Sequence, residues 1–274
     1  MARLALTRPV SESIARCQLT FQRREPIDIG LAREQHAAYE QALAECGCTV
    51  ERLPAADDLP DAVFVEDTAV VLDEIAIITR PGAEARRPEV AVVARRLAEL
   101  GPVCAVTGPA TIDGGDVLRA GRRLYVGLTS RTNEAGHRAL ARIAGPLGYA
   151  VIPVPVRDCL HLKSAASWLG GERVLVDAAR LPEAVFAGLE VHVVPRGEAA
   201  AANVLALGDS VLIPDGFPRT RALLEGVGAR CRTVANSELA KAEGGLTCCS
   251  LILEDTLARQ EPGRRSPVPE GSET

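Results

Sequence analysis

Five short polar segments, each followed by a run of apolar residues, recur along this chain at a nearly constant interval. The segments are marked by Glu66, Asp113, His161, Asn203 and Cys248. The intervals are 47 residues (66 to 113), 48 (113 to 161), 42 (161 to 203) and 45 (203 to 248). A repeat of this length is typical of propellers and solenoids. In a closed ring the five segments would face one central axis, so residues distant in sequence would form one site.

Each repeat has the pattern of a β-hairpin followed by a helix and one more strand. Apolar runs flank tight turns such as Asp73-Glu74 and Gly208-Asp209, which is typical of hairpins. Helical spacing follows over residues 32–46, 84–100, 133–147, 182–189 and 219–227, and an apolar strand follows each helix. We expect Leu251–Leu253 to pair with Leu4–Thr7 and close the ring. The sequence therefore predicts an α/β fold of about five strand-strand-helix-strand units.

Composition limits the class of protein. Hydrophobic residues make up 47% of the 274 residues but aromatic residues only 3%, which predicts an aliphatic core. A net charge of -5 without a Lys/Arg-rich run argues against a nucleic-acid partner. The sequence shows no signal-peptide pattern and no apolar stretch of membrane-spanning length, so we expect a cytoplasmic protein without a membrane partner. We expect a single domain over residues 1–257 and a disordered tail over residues 258–274, which is rich in Pro, Gly, Arg and Ser.

The cysteines indicate a reducing compartment. Eight are present, but no CxxC pairs mark a zinc site, and the chain is long for a disulfide-stapled secreted fold. Most are expected to be small buried hydrophobic residues. For any single cysteine, including Cys248, a buried strand position is the commoner explanation. The glycine pair Gly244-Gly245 just before Cys248 favours a close backbone approach to another group.

A thiol acts as a nucleophile only as the thiolate, so Cys248 would need a base or a cation nearby. His161 marks a repeat as Cys248 does, and a Cys-His couple is a common nucleophilic arrangement. Asp113 would orient the imidazole, as the carboxylate does in catalytic triads. Read alone, the Asp113-Gly114-Gly115-Asp116 segment is equally typical of a simple turn.

The segment from Asp61 to Asp67 places three carboxylates, Asp61, Glu66 and Asp67, around the apolar residues 62–65. Partly buried carboxylates need a cation, which leaves a metal, an internal arginine or a cationic ligand. A guanidinium suits them best, because it binds carboxylates with its planar fork. The candidate anion-binding residues that follow second strands are Arg80, Arg86, Arg87 and Arg131. Although a lone arginine is usually a solvated surface residue, two that converge would suit a carboxylate, so the ligand is interpreted as arginine or a derivative.

Seven motifs resemble those of the dimethylarginine dimethylaminohydrolase family, within the pentein superfamily of guanidine-modifying enzymes. They are LPDAVFVEDTAVV (59–71), ITRPGAEARR (78–87), IDGGDV (112–117), YVGLTSRTN (125–133), LHLKS (160–164), AAN (201–203) and GGLTCCS (244–250). The resemblance covers about residues 3–256. It implies a five-bladed α/β propeller that hydrolyses Nω-methylated L-arginine, asymmetric dimethylarginine or monomethylarginine, to L-citrulline and dimethylamine or methylamine. It implies neither a cofactor nor a metal.

The resemblance also implies a role for each matching residue. Cys248, rather than Cys249, would attack the guanidinium carbon and form a covalent thiouronium intermediate. His161 would act as acid and then as base, supported by Asp113. The implied substrate-binding residues are Glu66 and Asp67 for the guanidinium, Asp61 with the carbonyls of Leu19 and Ala242 for the α-amino group, and Arg86 and Arg131 for the α-carboxylate.

Two other functions stay open at this point. One is an arginine deiminase-like or other guanidine hydrolase, because small changes in a pocket alter specificity by only about 1–3 kcal/mol. The other is a propeller that only binds a partner, as in the ribosome anti-association factor of the same fold. The expected partner is a small-molecule substrate, and the protein is expected to be a monomer or homodimer. A mobile entrance loop over Gln18–Ile29 is a further hypothesis.

Overall fold

The computed structural model describes residues 3–254 and forms five three-stranded sheets from fifteen strands in that range. The predicted tail over residues 258–274 and the two ends of the predicted domain lie outside the described residues. The strands are β1 (Arg3–Thr7), β2 (Cys48–Arg52), β3 (Ala69–Val71), β4 (Ala76–Ile78), β5 (Val103–Ala105), β6 (Val117–Ala120), β7 (Arg123–Leu128), β8 (Ala150–Pro155), β9 (Ala166–Gly170), β10 (Arg173–Val176), β11 (Glu190–Val193), β12 (Leu205–Leu207), β13 (Ser210–Pro214), β14 (Arg230–Val234) and β15 (Leu251–Glu254).

The five sheets share one topology. In each, the central strand is antiparallel to one neighbour and parallel to the other, as β4 is to β3 and β5. Antiparallel strands need only a tight turn between them, whereas parallel strands need a crossover connection. Glycines with positive φ, such as Gly121 at 59° and Gly208 at 67°, occupy two of the hairpin turns. The predicted repeat of strand, strand, crossover and strand is confirmed.

The first sheet closes the ring, because its strands come from both ends of the described chain. β15 pairs antiparallel with β1, with Leu6 opposite Leu251 and Leu4 opposite Leu253. On its other side β1 pairs parallel with β2, and the predicted strand residue Thr7 pairs there with Arg52. Around the ring β3 contacts β15, β9 contacts both β6 and β12, and the helix of the first unit contacts β14. The α/β propeller of five units is confirmed.

Four helices and a short fifth one provide the crossovers and connections: α1 (Ile29–Glu45), α2 (Val90–Leu100), α3 (Glu134–Ala144), α4 (Pro218–Gly226) and α5 (Ser237–Ala240). The Asn133 side chain caps α3 by accepting from the Gly136 N–H at 2.8 Å. Two predicted helices were wrong in part. Residues 84–89, which include Pro88, form a 3-10 turn before α2 because proline interrupts helical hydrogen bonding. The segment 182–189 forms only the 3-10 turn Glu183–Phe186, which lies between Pro182 and Gly188 and is too short for a stable helix.

Aliphatic side chains fill the space between neighbouring units. Leu6 and Leu251 of the first sheet belong to one buried cluster with Val93 and Leu97 of α2. An aromatic contact in the core joins Tyr125 to Phe186 of the neighbouring unit, with ring centroids 4.9 Å apart. All eight cysteines are free thiols, four of them buried and four partly buried. Within residues 3–254, no helix is both long and apolar enough to span a bilayer.

In each of the five sheets, a 3-10 turn precedes one strand of the antiparallel pair and points toward the centre of the ring. These turns are Val65–Thr68, Gly114–Asp116, Leu162–Ser164, Ala199–Ala202 and Thr247–Cys249. The turn at residue 65 contacts those at residues 114 and 247, and the turn at residue 162 contacts those at residues 114 and 199. Glycine permits this approach, since a Cβ on Gly114 would lie only 2.0 Å from the Glu66 carbonyl oxygen. The repeat seen in the sequence is therefore a ring of inward-facing turns.

Candidate active site

The inward-facing turns surround a narrow cavity. Its lining residues are Gln18, Asp61, Phe64, Asp67, Arg86, Arg131, Leu160, His161, Ala242, Glu243 and Cys248. A larger and more open depression lies elsewhere, between the end of α1 and β14. It contains none of the candidate residues, so the smaller cavity is where the reactive side chains converge.

The thiol of Cys248 lies in the turn Thr247–Cys249, where the Gly245 N–H points at its sulfur from 3.4 Å. Burial raises the pKa of Cys248 far above its usual range, and the carboxylates of Glu66 and Asp67 raise it further. The thiol is therefore protonated before a cationic ligand binds. A positive ligand beside these carboxylates would favour the thiolate.

The imidazole of His161 contacts Asp113 from the neighbouring turn, with Nε2 at 3.0 Å from Oδ2. The other oxygen of Asp113 accepts the Gly82 N–H at 2.9 Å, which fixes the carboxylate. Burial alone would lower the pKa of His161, but the carboxylates of Asp67, Asp116 and Asp113 outweigh it and raise the pKa to about 9. His161 is therefore an imidazolium at neutral pH and can donate a proton.

Asp67 has both carboxylate oxygens fixed by neighbouring donors. Oδ1 accepts the Gly115 N–H at 2.9 Å, and Oδ2 accepts from Arg86 Nη1 at 2.6 Å. Burial opposes ionisation, but His161 and Arg86 hold the pKa of Asp67 well below its usual range. Arg86 also forms a buried pair with Glu89 through its Nη2 at 2.9 Å. Arg86 thus borders the cavity with its charge already matched by two acids.

Glu66 does not line the cavity, although it lies in the same turn as Asp67. Its Oε1 accepts from Lys163 Nζ at 2.5 Å and its Oε2 accepts from Thr247 Oγ1 at 2.8 Å. Burial raises the pKa of Glu66, and the Lys163 ammonium opposes that rise. The Asn203 side chain accepts the Thr247 N–H at 3.0 Å and donates to the Lys163 carbonyl at 2.9 Å. One hydrogen-bonded network thereby joins the turns at residues 65, 162 and 247 with Asn203, which directly follows the turn at residue 199.

The far end of the cavity holds Asp61 and Arg131. Both carboxylate oxygens of Asp61 lie 3.1 Å from the backbone nitrogen of Gln18 and accept its N–H. Burial raises the pKa of Asp61, and the Arg86 guanidinium opposes that rise. Arg131 is only 7% exposed, and its Nη1 is buried without a hydrogen-bond partner among the described residues. Its Nη2 donates to Thr20 Oγ1 at 3.2 Å. A buried guanidinium nitrogen that lacks an acceptor is suited to bind an anion.

Of the remaining residues predicted from the sequence, some line the cavity and others do not. Ala242 lines the cavity, whereas Leu19 packs against an apolar cluster beside the lining residue Gln18. Arg80 and Arg87, weighed as alternative anion-binding residues, do not line the cavity. Asp67, Asp113 and His161 could each offer one metal-ligand atom within 4.8 Å of one another, but Asp67 is already paired with a guanidinium.

Similarity to known proteins identifies the family of this chain. No family model matches the chain. Two relatives called dimethylarginine dimethylaminohydrolase match most of it: one from Streptomyces coelicolor is 42% identical over 92% of this chain and 97% of its own length, and one from Pseudomonas aeruginosa is 34% identical over 82% and 89%. The chain belongs to the dimethylarginine dimethylaminohydrolase family. A solved dimethylarginine dimethylaminohydrolase from Pseudomonas aeruginosa, a cysteine-to-serine mutant in complex with citrulline, matches with a TM-score of 0.86 and 33% identity, covering 91% of this chain and 98% of that one.

In this dimethylarginine dimethylaminohydrolase family member, sequence reasoning missed several residues of the site. Lys163 and Thr247 bind Glu66, and both lie within motifs quoted above, two residues after His161 and one before Cys248. Asn203 was identified as the marker of a repeat but received no role. Their positions on the inward-facing turns were the available signal. Glu243 also lines the cavity and had no distinguishing pattern in the sequence.

Proposed function

We propose that this protein hydrolyses Nω-methylated L-arginine to L-citrulline and dimethylamine or methylamine. One observation carries the proposal: a single cavity holds a cysteine, an imidazolium, carboxylates for a cation and a buried arginine with one nitrogen that has no acceptor within residues 3–254. These groups match the two charged ends of arginine and the reactive carbon between its terminal nitrogens. The names of the relatives and the citrulline bound to one of them support the same reaction.

Binding and activation are coupled in this proposal. Asp67 receives the guanidinium, while Glu66, held by Lys163 and Thr247, adds negative charge behind it. The substrate cation then lowers the pKa of the Cys248 thiol, whose proton leaves to solvent. The thiolate attacks the guanidinium carbon and a new C–S bond forms.

His161 serves both halves of the reaction. It first donates its proton to the departing amine as the C–N bond breaks, which leaves a thiouronium on Cys248. The neutral imidazole, oriented by Asp113, then takes a proton from water, and the resulting hydroxide attacks the same carbon. The C–S bond breaks, the hydroxyl proton leaves to solvent, and citrulline and the thiolate are released. Each proton that His161 gives is recovered in the second half.

The amino-acid end of the substrate is assigned to the far end of the cavity. Arg131 Nη1 would bind the α-carboxylate, with Arg86 bordering the same space. Asp61 would bind the α-amino group together with the carbonyls of Ala242 and Leu19. The Leu19 side chain packs against the apolar cluster while its neighbour Gln18 lines the cavity, so Leu19 would contribute through its backbone carbonyl.

We further propose that the five units act as one catalytic domain over residues 1–257, in a cytoplasmic monomer or homodimer without a nucleic-acid or membrane partner. Pairing of β1 with β15 supports the single domain, and eight free thiols suit a reducing compartment. Sedimentation equilibrium tests the oligomeric state, and a larger assembly would contradict it.

The test is citrulline release from asymmetric dimethylarginine, monomethylarginine and arginine by the purified protein. We expect turnover of the methylated substrates and a loss of more than about a thousandfold in Cys248→Ser. Cys249→Ser is the matched control and should keep most of the activity. Turnover of arginine alone would indicate a deiminase. No citrulline from any substrate would contradict the proposed reaction and favour a binding propeller.

A further inference from the structure

The carboxylate of Glu243 holds three consecutive backbone N–H groups of the loop before α1. Its Oε2 accepts from Thr20 at 3.0 Å, and its Oε1 accepts from Phe21 and from Gln22 at 2.6 Å each. These three residues are more than 200 positions away in sequence and are themselves largely exposed. Bonds from N–H groups to an ionised carboxylate are among the stronger hydrogen bonds in proteins. The loop is therefore tied to the ring at one charged point.

Glu243 has an unusual backbone. Its φ is 59°, in the left-handed region where side chains other than glycine are uncommon. It lies directly before Gly244-Gly245 and five positions before Cys248, and it lines the cavity. Because such a conformation costs about 1 kcal/mol or more, the surrounding contacts must hold it in place. Backbone hydrogen bonds at the end of α5 do so, from the Glu243 N–H to the Ala240 carbonyl at 3.0 Å and from the Gly244 N–H to the Leu239 carbonyl at 2.9 Å. This backbone geometry fixes the point from which the Glu243 carboxylate reaches the loop.

The same loop contacts both residues assigned to the amino-acid end of the substrate. The Gln18 N–H donates to Asp61, and Thr20 Oγ1 accepts from Arg131. If Asp61 and Arg131 turn to a substrate, those two contacts weaken. The bonds to Glu243 do not compete with the substrate, so they remain to hold the loop.

We propose that Glu243 is a positioning residue that fixes the loop over residues 18–24 against the cavity and so sets the affinity for the amino-acid end of the substrate. This rests on the proposed function. Glu243 does not touch the reacting carbon in this account. Its carboxylate acts through the backbone of Thr20, Phe21 and Gln22, which place Gln18 and Thr20 beside Asp61 and Arg131.

Limited trypsin digestion tests the loop directly, without any substrate. Arg23 and Arg24 are exposed within the loop. If the loop is released from the ring, its backbone at these two trypsin sites becomes mobile and easier to cleave. We expect Glu243→Ala to be cut there at least about tenfold faster than the wild type, since a charge-assisted hydrogen bond contributes about that factor or more. Glu243→Gln keeps one acceptor oxygen and should fall between them. Mass spectrometry identifies the new N-termini.

A matched control is Glu25→Ala, which removes the same charge from an exposed residue in the same loop. Its cleavage rate should equal that of the wild type. Circular dichroism melting shows whether each variant is folded, and the glutamine variant serves if the alanine variant is not. Equal cleavage of wild type, Glu243→Gln and Glu25→Ala would overturn the proposal.

Kinetics with asymmetric dimethylarginine separate positioning from chemistry. We expect Glu243→Gln to raise KM about fivefold to tenfold with kcat changed by less than about twofold, because the reacting groups are unaffected. A fall in kcat without a change in KM would overturn the proposal, since it would place the effect at the Cys248 turn. If the wild type releases no citrulline, the proposed function fails, whereas the trypsin result still reports on the Glu243 contact.

Discussion

His161 carries a positive charge in the folded protein because three carboxylates lie near its buried imidazole. Asp113 contacts the imidazole Nε2 directly, and Asp67 Oδ1 lies 3.9 Å from the same Nε2. Asp116, at the end of the turn Gly114–Asp116, also stabilises the charge. Asp116 is itself fully buried, and burial raises its pKa to about 6 although His161 and two threonine hydroxyls oppose the rise. The same cavity thus holds an imidazolium and a thiol that stays protonated until a cationic ligand binds near Glu66 and Asp67.

This charge makes folding stability depend on pH. The folded pKa of His161, about 9, lies above the unfolded value of about 6.5, so its contribution is complete below about pH 6.5 and is lost as pH rises through 9. We expect the wild type to lose up to about 3 kcal/mol of unfolding free energy over that window. Urea unfolding at pH 6.5 and pH 9 measures the loss, and His161→Asn is the control. Equal changes in both proteins would contradict the charge assigned to His161.

At the scale of elements, the 3-10 turns do more than join crossovers to hairpins. They pack backbone against side chain so closely that glycine is required at particular points. A Cβ on Gly115 would lie 2.6 Å from His161 Nδ1 and 2.7 Å from Asp67 Oδ1. The glycine pair in Asp113-Gly114-Gly115-Asp116 therefore lets two turns meet, which a simple surface turn would not need.

Gly115→Ala should consequently displace His161 or Asp67. We expect kcat/KM to fall by about a hundredfold, because moving a reacting group by about 1 Å costs roughly that factor. Gly145→Ala is the matched control, because its φ is -56° and nothing lies within 4 Å of an added Cβ. That variant should keep full activity. Citrulline release measures both, with melting curves to show that each is folded. Wild-type activity in Gly115→Ala would contradict the close contact between the turns.

The elements also show what periodicity can and cannot predict. Hairpins and crossovers followed from apolar spacing and turn residues, because those patterns act over short distances. The helix predicted over residues 182–189 failed because the five residues between Pro182 and Gly188 cannot sustain helical hydrogen bonds. The same spacing of apolar residues fits a 3-10 turn, so length rather than pattern decided the outcome.

For the whole molecule, the constant interval between polar segments predicted the ring, and the ring explains why distant residues share one cavity. The pairing of individual side chains could not be predicted from the sequence. Lys163 meets Glu66 across 97 positions and Glu243 meets Phe21 across 222, and by composition many other acids and many arginines could have formed such contacts. Arg86 illustrates the same limit, because only the structure shows that Asp67 and Glu89 already hold its charge.

The central claim is that the ring brings Cys248 to the guanidinium carbon as the nucleophile. The most direct measurement is acid quenching of the protein during turnover of asymmetric dimethylarginine, followed by mass spectrometry of its cysteine-containing peptides. We predict a thiouronium adduct on Cys248 that persists in Cys249→Ser and disappears in Cys248→Ser. An adduct on Cys249 instead, or citrulline release with Cys248 never modified, would contradict the account.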